Sequence, residues 1–403
     1  MNELKDVIKL IQAPDEISMQ AARERQDYLA KVPGSLGMLE EISIKLAGIT
    51  GKPYENDVQN QAIVLMCADN GVVEEGVASA PQSVTLMQTV NFTERITGVG
   101  SQAKYFGIDL LAVDIGIKLP VPEKYLTEDM LEEGKLSSLV VNRRISSGTR
   151  NLAKEPAMSR EDAVRGIMIG IEAAEACKRA GKTLIGVGEM GIGNTTTSSA
   201  IIAALYLEDR LKNTGKETYL ENGFEENDVH EIVEKIVGRG GGLSDKGLSK
   251  KKKIIEDAIK KYEPLYMTNG FDAIELLRTV GGFDIAGMVG VYIGAALYRI
   301  PVVIDGVISI AAALLAIRIC PDVKNYLFAS HKSKEGGYAV ATELLGIEPM
   351  FDLGMRLGEG SGCPIAFKII EAACAVINGM KTLEEAQVDA AYLDEFREDG
   401  QFK

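Results

Sequence analysis

Ile63-Val64-Leu65-Met66-Cys67-Ala68-Asp69-Asn70-Gly71 is an apolar run that stops abruptly at an acid and a glycine. The same grammar returns in Leu110 to Gly116 (LLAVDIG), Leu184 to Gly191 (LIGVGEMG) and Val302 to Gly306 (VVIDG), each followed by a helical pattern. A short, continuously apolar run bounded by a turn fits a strand buried on both faces of a parallel sheet. Helical stretches between such runs fit right-handed crossovers. The expected fold is therefore α/β: a Rossmann-like, open, mostly parallel sheet with flanking helices. Ligands bind such sheets beyond the carboxyl ends of the strands, which places Asp69, Asp114, Glu189 and Asp305 along the working edge. Each of the four also has a plainer reading, as a turn former or a helix cap.

Working outward, the first sixty residues read as helical. Val7, Ile8 and Ile11, then Met19, Ala22 and Gln26, suggest two short helices around Pro14, and Leu39, Ile42, Leu46 and Ile49 a third. These pieces are too thin for a core of their own. Residues 1–60 with 380–403 are expected to form a small helical domain, and residues 61–379 the large α/β catalytic domain. Two stretches rich in charge and turn residues, Glu123 to Val141 and Glu208 to Lys235, read as surface excursions.

The chain has 403 residues, with Lys+Arg 44 against Asp+Glu 58 and a formal net charge of -14. That balance argues against a general nucleic-acid or anionic-membrane binder. It does not exclude an anionic small substrate, which backbone N–H groups and one or two lysines can hold. The five cysteines include no C-x-x-C pair, and the odd count suits ordinary thiols in a reducing compartment. His230 and His331 are the only histidines, so no metal site is expected. Neither a signal core nor an apolar run of about 20 residues is visible. A soluble cytoplasmic protein is the expectation.

Three glycine-rich motifs could carry chemistry. Gly186-Val187-Gly188-Glu189-Met190-Gly191 satisfies G-x-G-x-x-G between a strand and a helix, where glycines would let a phosphate approach the backbone. The ribose-binding acid of a dinucleotide site is unconvincing, so a nicotinamide-dependent oxidoreductase is only a rival reading. In Gly238-Arg239-Gly240-Gly241-Gly242, followed by the lysine run 250–253, the spacing is not that of a triphosphate P-loop. Most of that run reads as a solvated helix face. Arg356-Leu357-Gly358-Glu359-Gly360-Ser361-Gly362 precedes Pro364, a favoured helix start, with Ile365, Ile369, Ala373 and Val376 marking the buried face. Glu359 on that open loop is either a general base, kept ionised by the helix end, or a capping carboxylate.

Taken in order, these motifs resemble the nicotinate-nucleotide:dimethylbenzimidazole phosphoribosyltransferase family of cobalamin biosynthesis. Pro33 to Gly37, ADNGVVEEGVASAPQSVT, GTRNLAKEPAMSREDA, GEMGIGNTT, GGFDIAGM, Ser330-His331-Lys332-Ser333 and RLGEGSG carry the likeness, from about Arg25 to Ala375. The resemblance implies a homodimer that acts on nicotinate mononucleotide and a benzimidazole-type base, without cofactor or metal. It makes Glu359 the catalytic base and lines the base pocket with Ala80, Pro81, Gln88, Met190 and Leu357. It gives the ribose phosphate to Glu189, Gly191, Gly193, Asn194, Gly238, Gly240 and Lys251. Asn70, Val32 and Val307 replace a histidine, a proline and a bulky aromatic of the family pattern, and Ala80 stands where some members carry serine. Loss of that hydroxyl implies a looser choice of base. A non-catalytic nucleotide-binding subunit is a further alternative.

Overall fold

The computed structural model describes residues 2–214, 223–268, 270–389 and 391. Among the described residues are ten strands: β1 Gln61–Ala68, β2 Asp109–Gly116, β3 Leu126–Thr127, β4 Leu131–Glu132, β5 Lys135–Leu136, β6 Val140–Asn142, β7 Leu184–Met190, β8 Val302–Ile304, β9 Leu327–His331 and β10 Pro349–Phe351. Eight of them form one sheet in the order β10-β9-β8-β7-β1-β2-β6-β3, while β4 and β5 make a separate antiparallel pair. Every pairing within the large sheet is parallel. The apolar runs are its central strands: all of β1 is buried, and so is β2 apart from its first residue. Burial on both faces is why these strands do not alternate in polarity.

The chain builds outward from β1 on one side through β2, then returns to place β7 on the other. That reversal between β1 and β7 is the switch point at which open α/β sheets hold ligands. Helices Arg160–Arg179 and Phe283–Leu297 pack together on one face. Helix Cys363–Gly379 contacts β7, β8 and β9.

At the chain's start, helices Asn2–Lys9, Glu16–Tyr28 and Met38–Thr50 form as the periodicity indicates. Asp15 caps the second, accepting from Ser18 N at 2.7 Å. The two chain ends meet, with Leu383 N donating to Tyr28 O and Ala30 N to Lys381 O, both at 2.9 Å. Ala22, Ile44, Ala47 and Ile377 make a small core there, apart from the main one. The last residues assigned to the helical domain, 392–403, lie outside the described residues, as does 390.

Three expectations are corrected. Glu123 to Val141 is not all surface excursion, because β3 and β6 extend the sheet edge. In the second stretch, helix Glu226–Ile236 buries Val229, Ile232, Val233 and Ile236 in the core; residues 215–222 lie outside the described residues. The buried face of Cys363–Gly379 is Ala366, Phe367, Ile370, Ala373, Cys374 and Ile377. Only Ala373 was expected, because this helix is apolar nearly all round and its periodicity has two solutions.

Candidate active site

A cavity of about 270 Å³ opens beyond the carboxyl ends of β7, β8 and β9. Strand β7 supplies Glu189 and Met190, the turn after it Gly191 and Ile192, and the start of helix Asn194–Thr214 supplies Asn194 and Thr195. Asp305 to Ser309 follow β8, and His331 ends β9, with Ser333 and Glu335 just beyond. Arg356 to Glu359 close one wall, Gly240 and Gly241 another, and Val84 and Gln88 enter from helix Ser83–Thr93.

The Glu359 loop is left-handed for three residues, with φ of 85° at Gly358, 61° at Glu359 and 78° at Gly360. A non-glycine residue in that region is strained by roughly 1–2 kcal/mol. Glu359 is 6 % exposed. Its Oε2 accepts from Val99 N at 3.3 Å, at the start of helix Gly98–Phe106. The carboxylate meets a helix start, as the plainer reading has it, although the helix is Gly98–Phe106 and not the one that follows it in sequence. Burial raises its pKa above the ordinary 4.5, against the pull of the Val99 and Gly98 N–H groups and the Thr97 hydroxyl. Leu357, 60 % exposed, lies beside it against Gly98.

Next to the loop stands a pair of buried acids bridged by an amide, of which Glu189 lies against Gly358. Asn194 Nδ2 donates to Glu189 Oε2 at 2.5 Å and to Asp284 Oδ2 at 3.0 Å. Burial and then the Asp284 charge push Glu189 up to about 8. Burial lifts Asp284 itself to about 6. A carboxyl held neutral in this way donates a hydrogen bond instead of repelling an anion.

Lys251 is 1 % exposed within helix Asp245–Met267, while Lys250 and Lys253 of the same run are exposed. Its Nζ donates to Thr195 Oγ1 at 2.9 Å and to Gly238 O at 3.2 Å. Burial lowers its pKa to about 8, with Glu335 pulling the other way. Lys251 thus stands one residue behind the cavity, with Thr195 between.

Of the residues expected here, Glu359, Gln88, Met190, Leu357, Glu189, Gly191, Asn194 and Gly240 come together on the cavity wall. Ala80, Pro81, Gly193, Gly238 and Lys251 do not line it. Pro81 is exposed ahead of helix Ser83–Thr93, so Val84 and Gln88, one turn apart on that helix, face the cavity instead. Gly193, at φ 98°, turns the chain against Val73 and Asn70.

The G-x-G-x-x-G reading is corrected. Gly186 and Gly188 lie inside β7, not in the turn. A Cβ on Gly186 would meet Cys363 at 2.6 Å, and one on Gly188 would meet Gly360 N at 2.6 Å and Glu359 C at 2.7 Å. These glycines let the Glu359 loop lie directly on the sheet, and the oxidoreductase alternative loses its footing. Asp114 is a turn former as the plainer reading has it, accepting from Gly116 N and Ile117 N. Asp284, His331, Glu335 and Arg356 were missed as site residues; the acid closing Gly281-Gly282-Phe283-Asp284 at a helix start was the one available signal.

The fold and the cavity define an α/β enzyme whose site lies beyond the carboxyl ends of a parallel sheet. A family model described as phosphoribosyltransferase matches residues 11–226 and 229–388. The nicotinate-nucleotide–dimethylbenzimidazole phosphoribosyltransferase of Clostridium perfringens is 47 % identical, over 98 % of this chain and 98 % of its own. That of Alkaliphilus metalliredigens is 45 % identical, over 96 % of this chain and 99 % of its own. The crystal structure of CobT from Thermus thermophilus superimposes with a TM-score of 0.78 at 33 % identity, covering 93 % of this chain and 99 % of that one. The chain belongs to the nicotinate-nucleotide:dimethylbenzimidazole phosphoribosyltransferase family. Relatives bearing an enzyme's name across nearly the full length lend no support to a non-catalytic subunit.

Proposed function

We propose that this enzyme moves the phosphoribosyl group of nicotinate mononucleotide onto a lower-ligand base, 5,6-dimethylbenzimidazole or a related ring, with Glu359 as general base. The observation that carries the reading is one buried carboxylate on the cavity wall, met by N–H groups and a hydroxyl instead of a cation, and more basic than usual. One ring nitrogen of the incoming base attacks C1′. The bond from C1′ to the nicotinate nitrogen breaks, and its electron pair neutralises the pyridinium. The proton on the other benzimidazole nitrogen passes to Glu359. Because the leaving ring departs neutral, the step needs no partner acid of the kind that glycoside hydrolysis uses. Holding two rings in line supplies the remaining acceleration.

Met190, Leu357 and Gln88 form the base-facing wall in this reading. Glu189 and Asn194 face the ribose, and Gly240 with the Lys251–Thr195 pair serves the phosphate, supported by a buried ammonium one residue behind the cavity. Val307 at the wall, where the resemblance implies a bulky aromatic, supports acceptance of bases other than dimethylbenzimidazole. The reading also takes the enzyme as a homodimer acting in the cytoplasm.

The test is to incubate the protein with nicotinate mononucleotide and dimethylbenzimidazole and follow the α-riboside phosphate by mass. Product is expected, with Glu359→Gln slower by about 10²–10⁴-fold. Full turnover by Glu359→Gln, or no product with any of a panel of bases, would overturn the proposal.

A further inference from the structure

Left-handed backbone at three successive residues does not hold itself in place. Within the loop, Ser361 N donates to Gly358 O and Cys363 N to Gly360 O, both at 3.0 Å. These bonds curl the loop but do not fix it to the sheet. Two acids reach it from the sheet: Glu189 of β7, which accepts from the Glu359 backbone N–H, and Asp305, the residue after β8, which holds the part of the loop beyond Glu359. Asp305 Oδ1 accepts from Gly362 N at 2.7 Å and its Oδ2 from Gly360 N at 3.1 Å, one oxygen for each N–H on either side of Ser361. Successive N–H groups in such a curl form a concavity that takes an anion. Here the anion is part of the same chain.

Asp305 is itself immobilised. Its N–H donates to Ser309 Oγ at 3.0 Å, that hydroxyl pairs with Tyr292 OH at 2.6 Å, and its carbonyl accepts from Ser330 Oγ at 3.2 Å. The side chain is buried, and the nearest cation-forming group is His331, whose Nδ1 stands 3.8 Å from Oδ1. Burying a carboxylate without a paired cation is costly, so the residue is out of place unless the loop needs it. Asparagine has the same shape but one acceptor, and would set an NH₂ against one of the two N–H groups.

We infer that Asp305 is a positioning residue for the general base: by tying Gly360 and Gly362 to the end of β8, it fixes where the Glu359 carboxylate stands in the cavity. This rests on the reading of Glu359 as the base.

The experiment measures kcat and KM separately for Asp305→Asn with nicotinate mononucleotide and dimethylbenzimidazole, beside nucleotide affinity by calorimetry. A displacement of the base of about 1 Å is expected to lower kcat about 100-fold. Nucleotide affinity should stay within about 3-fold, because the lost interaction is not with substrate. In a Glu359→Gln background, Asp305→Asn should lower the residual rate by less than about 2-fold, as it acts through a group already removed. Ser330→Ala, which loosens only the Asp305 carbonyl, should lower kcat several-fold and keeps the question open to test if Asp305→Asn does not fold. An unchanged kcat in Asp305→Asn or Ser330→Ala, a rise in KM alone, or a full multiplicative loss in the double variant would overturn the inference. If Glu359→Gln itself turns over normally, it is the base assignment that fails, whatever Asp305→Asn does.

Discussion

Two glycine-rich loops face each other across the cavity, and they use glycine for opposite ends. Gly358 to Gly362 is tied down: buried except at Gly358, pressed onto β7 at Gly188, and bonded to Asp305. Gly238 to Gly242 is open only at its far end: Gly241 and Gly242 are exposed and a Cβ on Gly242 would meet nothing within 4 Å, while Gly240 is buried against Thr195. In the first loop, glycine admits a strained backbone and a close approach to the sheet. In the second, it leaves backbone uncovered where an anion can come near. The difference implies that damage to the tied loop acts on the rate of the chemical step, and damage beside the open loop on the hold over the nucleotide.

The strongest way to break that comparison is Gly188→Ala. The new methyl would press on Gly360 N and Glu359 C, backbone atoms that cannot swing aside. The loop must lift, and kcat is expected to fall about 100-fold or more, with nucleotide affinity nearly preserved. Steady-state kinetics beside calorimetry decide it, and a variant that binds poorly but turns over normally would refute the division. Lys251→Met probes the other side. Removing a charged donor costs about 1.5–3 kcal/mol, so the KM for nicotinate mononucleotide should rise about 10–100-fold, with kcat changed far less. An equal fall in kcat would place Lys251 with the chemistry.

The smallest expected effect concerns four buried acids, two on the cavity wall and two behind it or in a neighbouring turn. Burial raises Asp114 to about 6, Asp284 to about 6, Asp305 to about 7 and Glu189 to about 8. Between about pH 4, where unfolded carboxyls release their protons, and these values, the folded chain binds more protons than the unfolded one. Stability must therefore fall as pH rises through that window. Calorimetry should find Tm lower by a few degrees at pH 8 than at pH 6. A Tm that climbs over that range would mean the four acids are better solvated, or better paired, than their burial implies.

What could be read from sequence follows from the range of the forces. Runs such as Ile63 to Ala68 are local, and being buried on both faces is written in every residue, so the parallel sheet and its acidic edge were legible. The burial of Lys251 among solvated neighbours was indicated only by resemblance, since the run itself gives no phase. The tie from Asp305 to Gly360 and Gly362 spans more than fifty positions, and the Asn194 bridge to Asp284 spans 90. No periodicity records such contacts. Gly186 and Gly188 misled for a related reason: a glycine that admits a phosphate and one that admits another loop look alike until the partner is in place.

Glu359 itself has a consequence for how such a protein drifts. Asparagine or glycine would sit more easily at its φ of 61°, and neither would bury a carboxylate. Selection for a robust fold alone would therefore erode this position. On the proposal that Glu359 is the base, a glutamate persists there only while its chemistry is being used, so among descendants that no longer need the product, residue 359 should be one of the first to change.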